Sequence, residues 1–240
     1  MSGSITIDYA FRFEEDPENP VLFRVELNPD TQVHAPHQIT PLPAWTERGE
    51  DLCGQCPGTC GMTHCPLAVS IAEVATAFQN HMSFSRVRLE VTTARRVYSA
   101  DTTLQHALGS LLGLYMATSG CPVLAPFMAM ARFHMPLASR EETVFRSVGA
   151  YLIGQYLLAR HGGEPDWSLE GLQLCYEKVH TVNKALAERL RGQDPGDATL
   201  NAIVVLDLLA HELPRSIKEG LDGMLPLFGH LFEPGTEEGV

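Results

Sequence analysis

Four cysteines, Cys53, Cys56, Cys60 and Cys65, fall within thirteen residues at the spacing C-x2-C-x3-C-x4-C, with His64 beside the last and Cys121 far downstream. Thiolates are soft, strongly donating ligands. Several of them on a short Gly- and Pro-rich loop suit zinc, an iron–sulfur cluster or copper(I) far better than magnesium or calcium. Gly54, Gly58 and Gly61 permit the positive φ values that tight chelating turns require. Cys56, Cys65 and Cys121 are each followed by proline, as is the last ligand of bacterial ferredoxin motifs. That stiffening favours a cluster over a zinc knuckle. The spacing departs from a ferredoxin run, and the second C-x-x-C of a zinc ribbon is missing.

The ligand set expected from these residues is Cys53, Cys56, Cys65 and Cys121, which would tie the loop to a turn between two helices. Cys60 or His64 could replace one member. The favoured cofactor is an iron–sulfur cluster of the 4Fe-4S type, with zinc as the alternative. Copper(I) ranks lower, because Met128, Met130 and Met135 at helical spacing are more often core than thioether ligands. A redox-active dithiol and inert buried thiols stay open as competing readings. His134, between Phe133 and Met135, could be a ligand, a hydrogen-bond partner to a sulfur or a core histidine, and Cys175 reads as a core thiol. His34 and His37 form a pair in a Pro-bounded loop, and Asp207, His211 and Glu212 share a helix face, but neither set matches a known metal motif. H-E-x-x-H, G-x-S-x-G, P-loop and G-x-G-x-x-G patterns are all missing, so no catalytic signature accompanies the cysteines.

The elements that must position these residues divide the chain near residue 100. Ile5, Ile7, Tyr9, Phe11 and Phe13 alternate with other residues, and Val21, Phe23, Val25 and Leu27 alternate again after Asp16-Pro17-Glu18-Asn19-Pro20, which predicts a hairpin turning at that segment. Val87, Leu89 and Val91 predict a third strand, with a fourth returning from Arg95 to Tyr98. Pro66 opens a helix carrying Leu67, Ile71, Val74, Ala75 and Phe78. From Asp101, a plausible cap, helices are predicted at 102–118, 123–134, 140–160, 168–191, 197–212 and 216–231. Ser139-x-x-Glu142 is a capping box for the third. The fold class is therefore α+β: a small antiparallel sheet of two hairpins followed by a predominantly α-helical bundle. The chain reads as one continuous unit, with an N-terminal α+β part over 1–100 that includes the cysteine-rich loop 53–65, and a helical part over 101–232.

Composition closes other routes. The chain has 240 residues, 45% of them apolar, and a net charge of −12, and its three lysines are Lys178, Lys184 and Lys218. An acidic surface offers nothing to neutralise a phosphate backbone, so nucleic acid and anionic membrane are not expected partners and a protein partner is. Ala107–Met116 is half the ~20 residues a membrane span needs. The N-terminus does not read as a secretory signal, so the expected location is the cytoplasm, where structural disulfides are disfavoured. Oligomeric state is not encoded in any pattern here.

The motifs Pro43-Ala44-Trp45-Thr46, Cys53-x-x-Cys56-Pro57, His64-Cys65-Pro66, Ser119-Gly120-Cys121-Pro122, Arg132-Phe133-His134-x-Pro136, Tyr151-Leu152-x-x-Gln155-Tyr156 and Glu164-Pro165-Asp166-Trp167-Ser168-Leu169 occur in this order. In combination they resemble an uncharacterised bacterial family catalogued as a domain of unknown function, over nearly the whole chain. The resemblance implies that Cys53, Cys56, Cys65 and Cys121 belong together, with Cys60 an addition, and it implies no activity. The functional expectation is a Cys-ligated metalloprotein used for redox or gas sensing or for electron transfer. The alternative is a zinc-stapled interaction module without catalysis.

Overall fold

Strict alternation of large apolar residues with polar ones makes the N-terminal segments half-buried strands. In the computed structural model, which describes residues 5–34, 39–48, 53–56, 62–191, 197–219 and 221–232, these strands are β1 (Ile5–Phe13), β2 (Asp16–Leu27), β3 (Arg86–Thr93) and β4 (Val97–Thr103). They form one antiparallel sheet in the order β2-β1-β3-β4. Ile7, Tyr9, Phe11 and Phe13 of β1 share the covered face with Phe23, Val25 and Leu27 of β2 and with Val87, Leu89 and Val91 of β3. On the other face Asp8 opposes Arg24 in register and accepts from its Nε at 2.7 Å. Both side chains are solvated, so this pair contributes under about 1 kcal/mol.

Two boundaries differ from the sequence expectation. The first hairpin turns at Glu14–Glu15, and β2 begins at Asp16, so Pro17 and Pro20 lie within a strand. β2 is a sheet edge, where a residue with no N–H can turn its missing donor to solvent. Asp101 caps no helix: it lies in β4 opposite Arg88, 3.5 Å from its guanidinium, and the helix begins two residues after Thr102.

The helices are α1 (Pro66–Ala77), α2 (Leu104–Ala117), α3 (Met128–Arg132), α4 (Arg140–Arg160), α5 (Glu170–Arg191) and α6 (Asp197–Lys218). The helix expected over 123–134 is shorter, because Pro126 sits in a 3-10 turn, Ala125–Phe127, that precedes α3. The helix expected over 216–231 is a 3-10 run, Asp222–Leu231, containing Pro226. Pro214, read as a break, is instead inside α6, where burial of Ala210, Leu213, Pro214 and Ile217 along the helix offsets the missing backbone bond. The predicted capping box holds: Glu142 N–H donates to Ser139 Oγ at 3.1 Å, and Ser139 N–H to Glu142 Oε2 at 2.7 Å.

One buried apolar cluster runs from the sheet through α1 and α2 to α5 and α6. Its pivot is Phe78, fully buried at the end of α1, with ring centroids 5.1 Å from Phe11 and 5.7 Å from Phe23. Among the described residues no helix is long and apolar enough to cross a membrane.

The Glu164-to-Leu169 motif has a local structural role between α4 and α5. Asp166 accepts from Tyr151 Oη at 2.8 Å, Ser168 Oγ at 2.6 Å, Ser168 N–H at 2.9 Å and Gly171 N–H at 2.7 Å. A Cβ on Gly171 would overlap the Tyr151 hydroxyl, so glycine is required for this approach. The Ser168 hydroxyl, then the Gly171 N–H, holds the Asp166 carboxyl down at about 2. A depressed carboxylate stabilises the fold above its ordinary value near 3.8, and that stabilisation is lost as pH falls through about 2. Asp166→Ala is expected to cost about 0.5–2 kcal/mol at pH 6, comparable to losing a helix-capping carboxylate. The gap between variant and wild-type urea midpoints should close between pH 4 and pH 2; a gap that does not vary with pH would contradict this account.

Candidate metal centre

Three separate stretches of chain bring cysteines to one place. The first is the knuckle Cys53–Cys56, in which Gly54 takes φ +63°, the left-handed conformation expected of a C-x-x-C turn. The second is Cys65, immediately before α1. The third is Cys121, after Gly120 at φ +80° in the turn that leaves α2. Ser119 shapes that turn: its hydroxyl donates to Met116 O at 2.8 Å and accepts from Cys121 N–H at 3.2 Å.

The base of the loop is stitched before and after the knuckle. Arg48 N–H donates to Thr63 O at 2.9 Å and Cys65 N–H to Thr46 O at 2.8 Å, and Glu47 bridges His64. Arg189 on α5 straps this base from below, donating from Nη1 to Trp45 O at 3.3 Å and Glu47 O at 3.1 Å. Trp45, within the Pro43-to-Thr46 motif, and Glu47, just after it, therefore supply the carbonyls that anchor the loop to the helical half.

Cys53, Cys56, Cys65 and Cys121 all line one cavity of about 40 Å³. Its other walls include Met62, Val182 and Leu186, together with the guanidinium-bearing Arg48 and Arg189. Burial pushes the Cys121 thiol up, the N–H groups of Val123 and Leu124 aimed at its sulfur pull it down, and nearby Cys65 and Cys53 push it up again. The crowding of thiols is thus felt electrostatically, and the turn after Cys121 already offers N–H donors to a sulfur anion. Among the described residues no group of three or more His, Cys, Asp or Glu side chains stands ready to hold an ion, so the four thiols share a cavity without converging on a point.

The family is now identifiable. A family profile described as "Domain of unknown function (DUF6901)" matches residues 7–229. The chain belongs to this family. No curated protein and no solved structure matches it. DUF6901 carries no assigned activity, so its functional reading rests on the site itself.

The remaining candidates disperse. Cys60 and His37 lie outside the described residues. His64 is tied to the base of the loop: Thr46 Oγ1 gives its proton to Pro43 O at 2.7 Å and so accepts from His64 Nδ1 at 2.9 Å. His134 lines a different, larger cavity rather than the cysteine one, with Nε2 bonded to the Tyr9 hydroxyl. Desolvation, with Arg146 nearby, pushes it down to about 3, so it is neutral. Met130 and Met135 line that larger cavity too, away from the thiols. His34 is buried and bridges Leu27, with its ring edge-on to Tyr115. Asp207 pairs with His180 at 2.8 Å and Glu212 with Arg140 at 2.9 Å, so that helix face divides between separate partners. Cys175 is half-buried away from the cysteine cavity.

Arg48, Met62 and Arg189 escaped the sequence reading. Nothing in the spacing marks Arg189, which reaches Trp45 across 144 positions of chain.

Proposed function

We propose that this DUF6901 chain is a cytoplasmic metalloprotein whose centre is held by Cys53, Cys56, Cys65 and Cys121, as a 4Fe-4S cluster used for redox or gas sensing or for electron transfer. The observation that carries the reading is that these four thiols, from three stretches of chain, line one cavity. The donor set fits the group: four soft ligands, three of them followed by proline, two beside left-handed glycines, and one with backbone N–H groups facing its sulfur. When bound, such a cluster supplies one-electron chemistry and reactivity toward oxygen or nitric oxide. The chain's own residues do the rest. Arg48 and Arg189 offset the negative charge that four thiolates bring, and Val182 and Leu186 limit water at the floor. Because the knuckle and the Cys121 turn belong to different halves, loss of the centre would loosen the junction between them. A protein partner suits the net charge of −12 and the half-exposed or more exposed Ile153, Tyr156 and Leu157 on α4.

A zinc staple is the second reading, favoured by the small cavity: about 40 Å³ is the scale of a single ion rather than of a cubane. Absorbance, iron, zinc and acid-labile sulfide are measured on protein purified without oxygen, beside a Cys53→Ala, Cys121→Ala double variant. The expected result is a brown protein with iron, sulfide and a broad band in the visible, all missing from the variant. One zinc per colourless chain, lost in the variant, would replace the cluster with the staple. Absence of metal from both would overturn the centre altogether.

A further inference from the structure

The larger cavity, partly open to solvent, offers about 460 Å³ among α2, α3, α4, α5, α6 and the end of β4, within the size range of small-molecule sites. Its room comes from α2, where Gly109, Ser110 and Gly113 present little or no side chain to Val205 and Leu206 of α6. Phe127, Val179 and Leu213 make it apolar. Asn183 and Arg146 break that lining with hydrogen-bonding capacity left over.

Asn183 is 1% exposed, lines the cavity, and neither its Nδ2 nor its Oδ1 meets a hydrogen-bond partner among the described residues. A buried amide left this way costs about 1–3 kcal/mol for each unmet group, so its persistence in a well-packed helix calls for a partner in the cavity it faces. Arg146 also lines the cavity. Its Nη2 donates to Met130 O at 2.9 Å and Phe133 O at 3.1 Å, and none of the ion pairs among the described residues involves it. The rest of the guanidinium fork is open for a planar anion. His134, the neighbouring titratable group in the wall, is neutral and offers no counter-charge. Among the described residues the carboxylate in the lining is Asp101, which is at the exposed edge of β4 and faces Arg88, while Glu142, one turn before Arg146 on α4, raises its basicity but is held in the Ser139 capping box.

We propose that this cavity binds a small amphipathic carboxylate, its anionic end on Arg146, its apolar body along Val179 and Leu213, and a second hydrogen-bonding group on Asn183. At roughly 30 Å³ per water-sized unit the space takes about 15 non-hydrogen atoms. Arg146 is on α4 and Asn183 on α5, so the two polar anchors come from different walls of the cavity. A ten-carbon acid with a terminal hydroxyl matches that volume. The site does not depend on the metal reading, since none of the four cysteines lines it.

The test is calorimetric titration of the full chain with decanoate and with 10-hydroxydecanoate. Both are expected to bind, the hydroxy acid at least threefold more tightly. Arg146→Gln, which keeps amide donors for the Met130 and Phe133 carbonyls, should weaken both at least tenfold. Asn183→Leu should abolish the preference for the hydroxy acid while retaining decanoate. Gly113→Leu fills the space without touching either polar anchor and should abolish binding in a chain whose circular dichroism is unchanged. Failure of the folded wild type to bind either acid at millimolar concentration would overturn the proposal, as would binding indifferent to both Arg146→Gln and Gly113→Leu.

Discussion

Cys121→Ala is expected to lower the stability of the metal-loaded protein by about 4 kcal/mol, the stabilisation a ligand confers at a thousand times its dissociation constant. For a chain of this size that is a fall of about 8–16 °C in Tm. The reasoning is topological. Cys121 follows α2, whereas Cys53, Cys56 and Cys65 precede α1, so the ligands cannot meet in the unfolded chain and binding free energy becomes folding free energy. The thiols share a cavity without converging, so a bound metal would draw the α2 turn toward the knuckle. Cys175→Ala, equally a loss of one half-buried thiol but outside the cavity, supplies the control and should cost about 1 kcal/mol with metal content unchanged. Thermal melts of the two variants beside wild type decide the matter. Equal small losses for both would remove the centre from the account of stability.

Phe78→Ala is expected to cost about 3–5 kcal/mol, the range for deleting a fully buried aromatic ring. Phe78 ends α1 and lies against three aromatic rings of the sheet, Phe11, Phe13 and Phe23, and its ring also meets His81. No charged or bulky neighbour can move into the space, because that face of β1 and β2 is closed by residues themselves nearly unexposed. Denaturant midpoints should fall accordingly while metal content per folded chain stays at the wild-type level, since Phe78 lines neither cavity. The contrast matters: Cys121→Ala removes stability with metal, Phe78→Ala without it. A loss below about 1 kcal/mol would mean that the sheet and α1 are held together by something other than this aromatic contact.

Which parts of the molecule were readable before its structure follows from how local each signal is. The strands over Ile5–Phe13 and Arg86–Thr93 were evident from period-two alternation, and α4 from Ser139 and Glu142, because both patterns are complete within a few residues. Proline misled the reading at Pro17 and Pro20 of β2 and at Pro214 of α6. Its local meaning as a breaker is overridden where an edge strand or a buried helix face tolerates the missing N–H. Asp101 looked like a cap, but β4 continues past it because Arg88 and the adjacent strand pair with it. Asp166-Trp167-Ser168 could be recognised as a family motif, yet its work, holding Tyr151 and Gly171 together, depends on the packing of α4 against the start of α5.

The sequence by itself determined the α+β class, the helix and strand periods, and the types of donor available for a metal, since these depend on residue chemistry and short-range geometry. Its motifs also carried the family. The tertiary structure decided which residues share a space. It gathered Cys121 with the three earlier cysteines, brought Arg48 and Arg189 beside them, and set His134 apart, in a second cavity with Arg146 and Asn183. Those associations are made by the packing of α2 and α5 against α6 and of α2 against the sheet, through contacts tens to over a hundred residues apart, and no pattern of spacing along one chain records where two helices will cross.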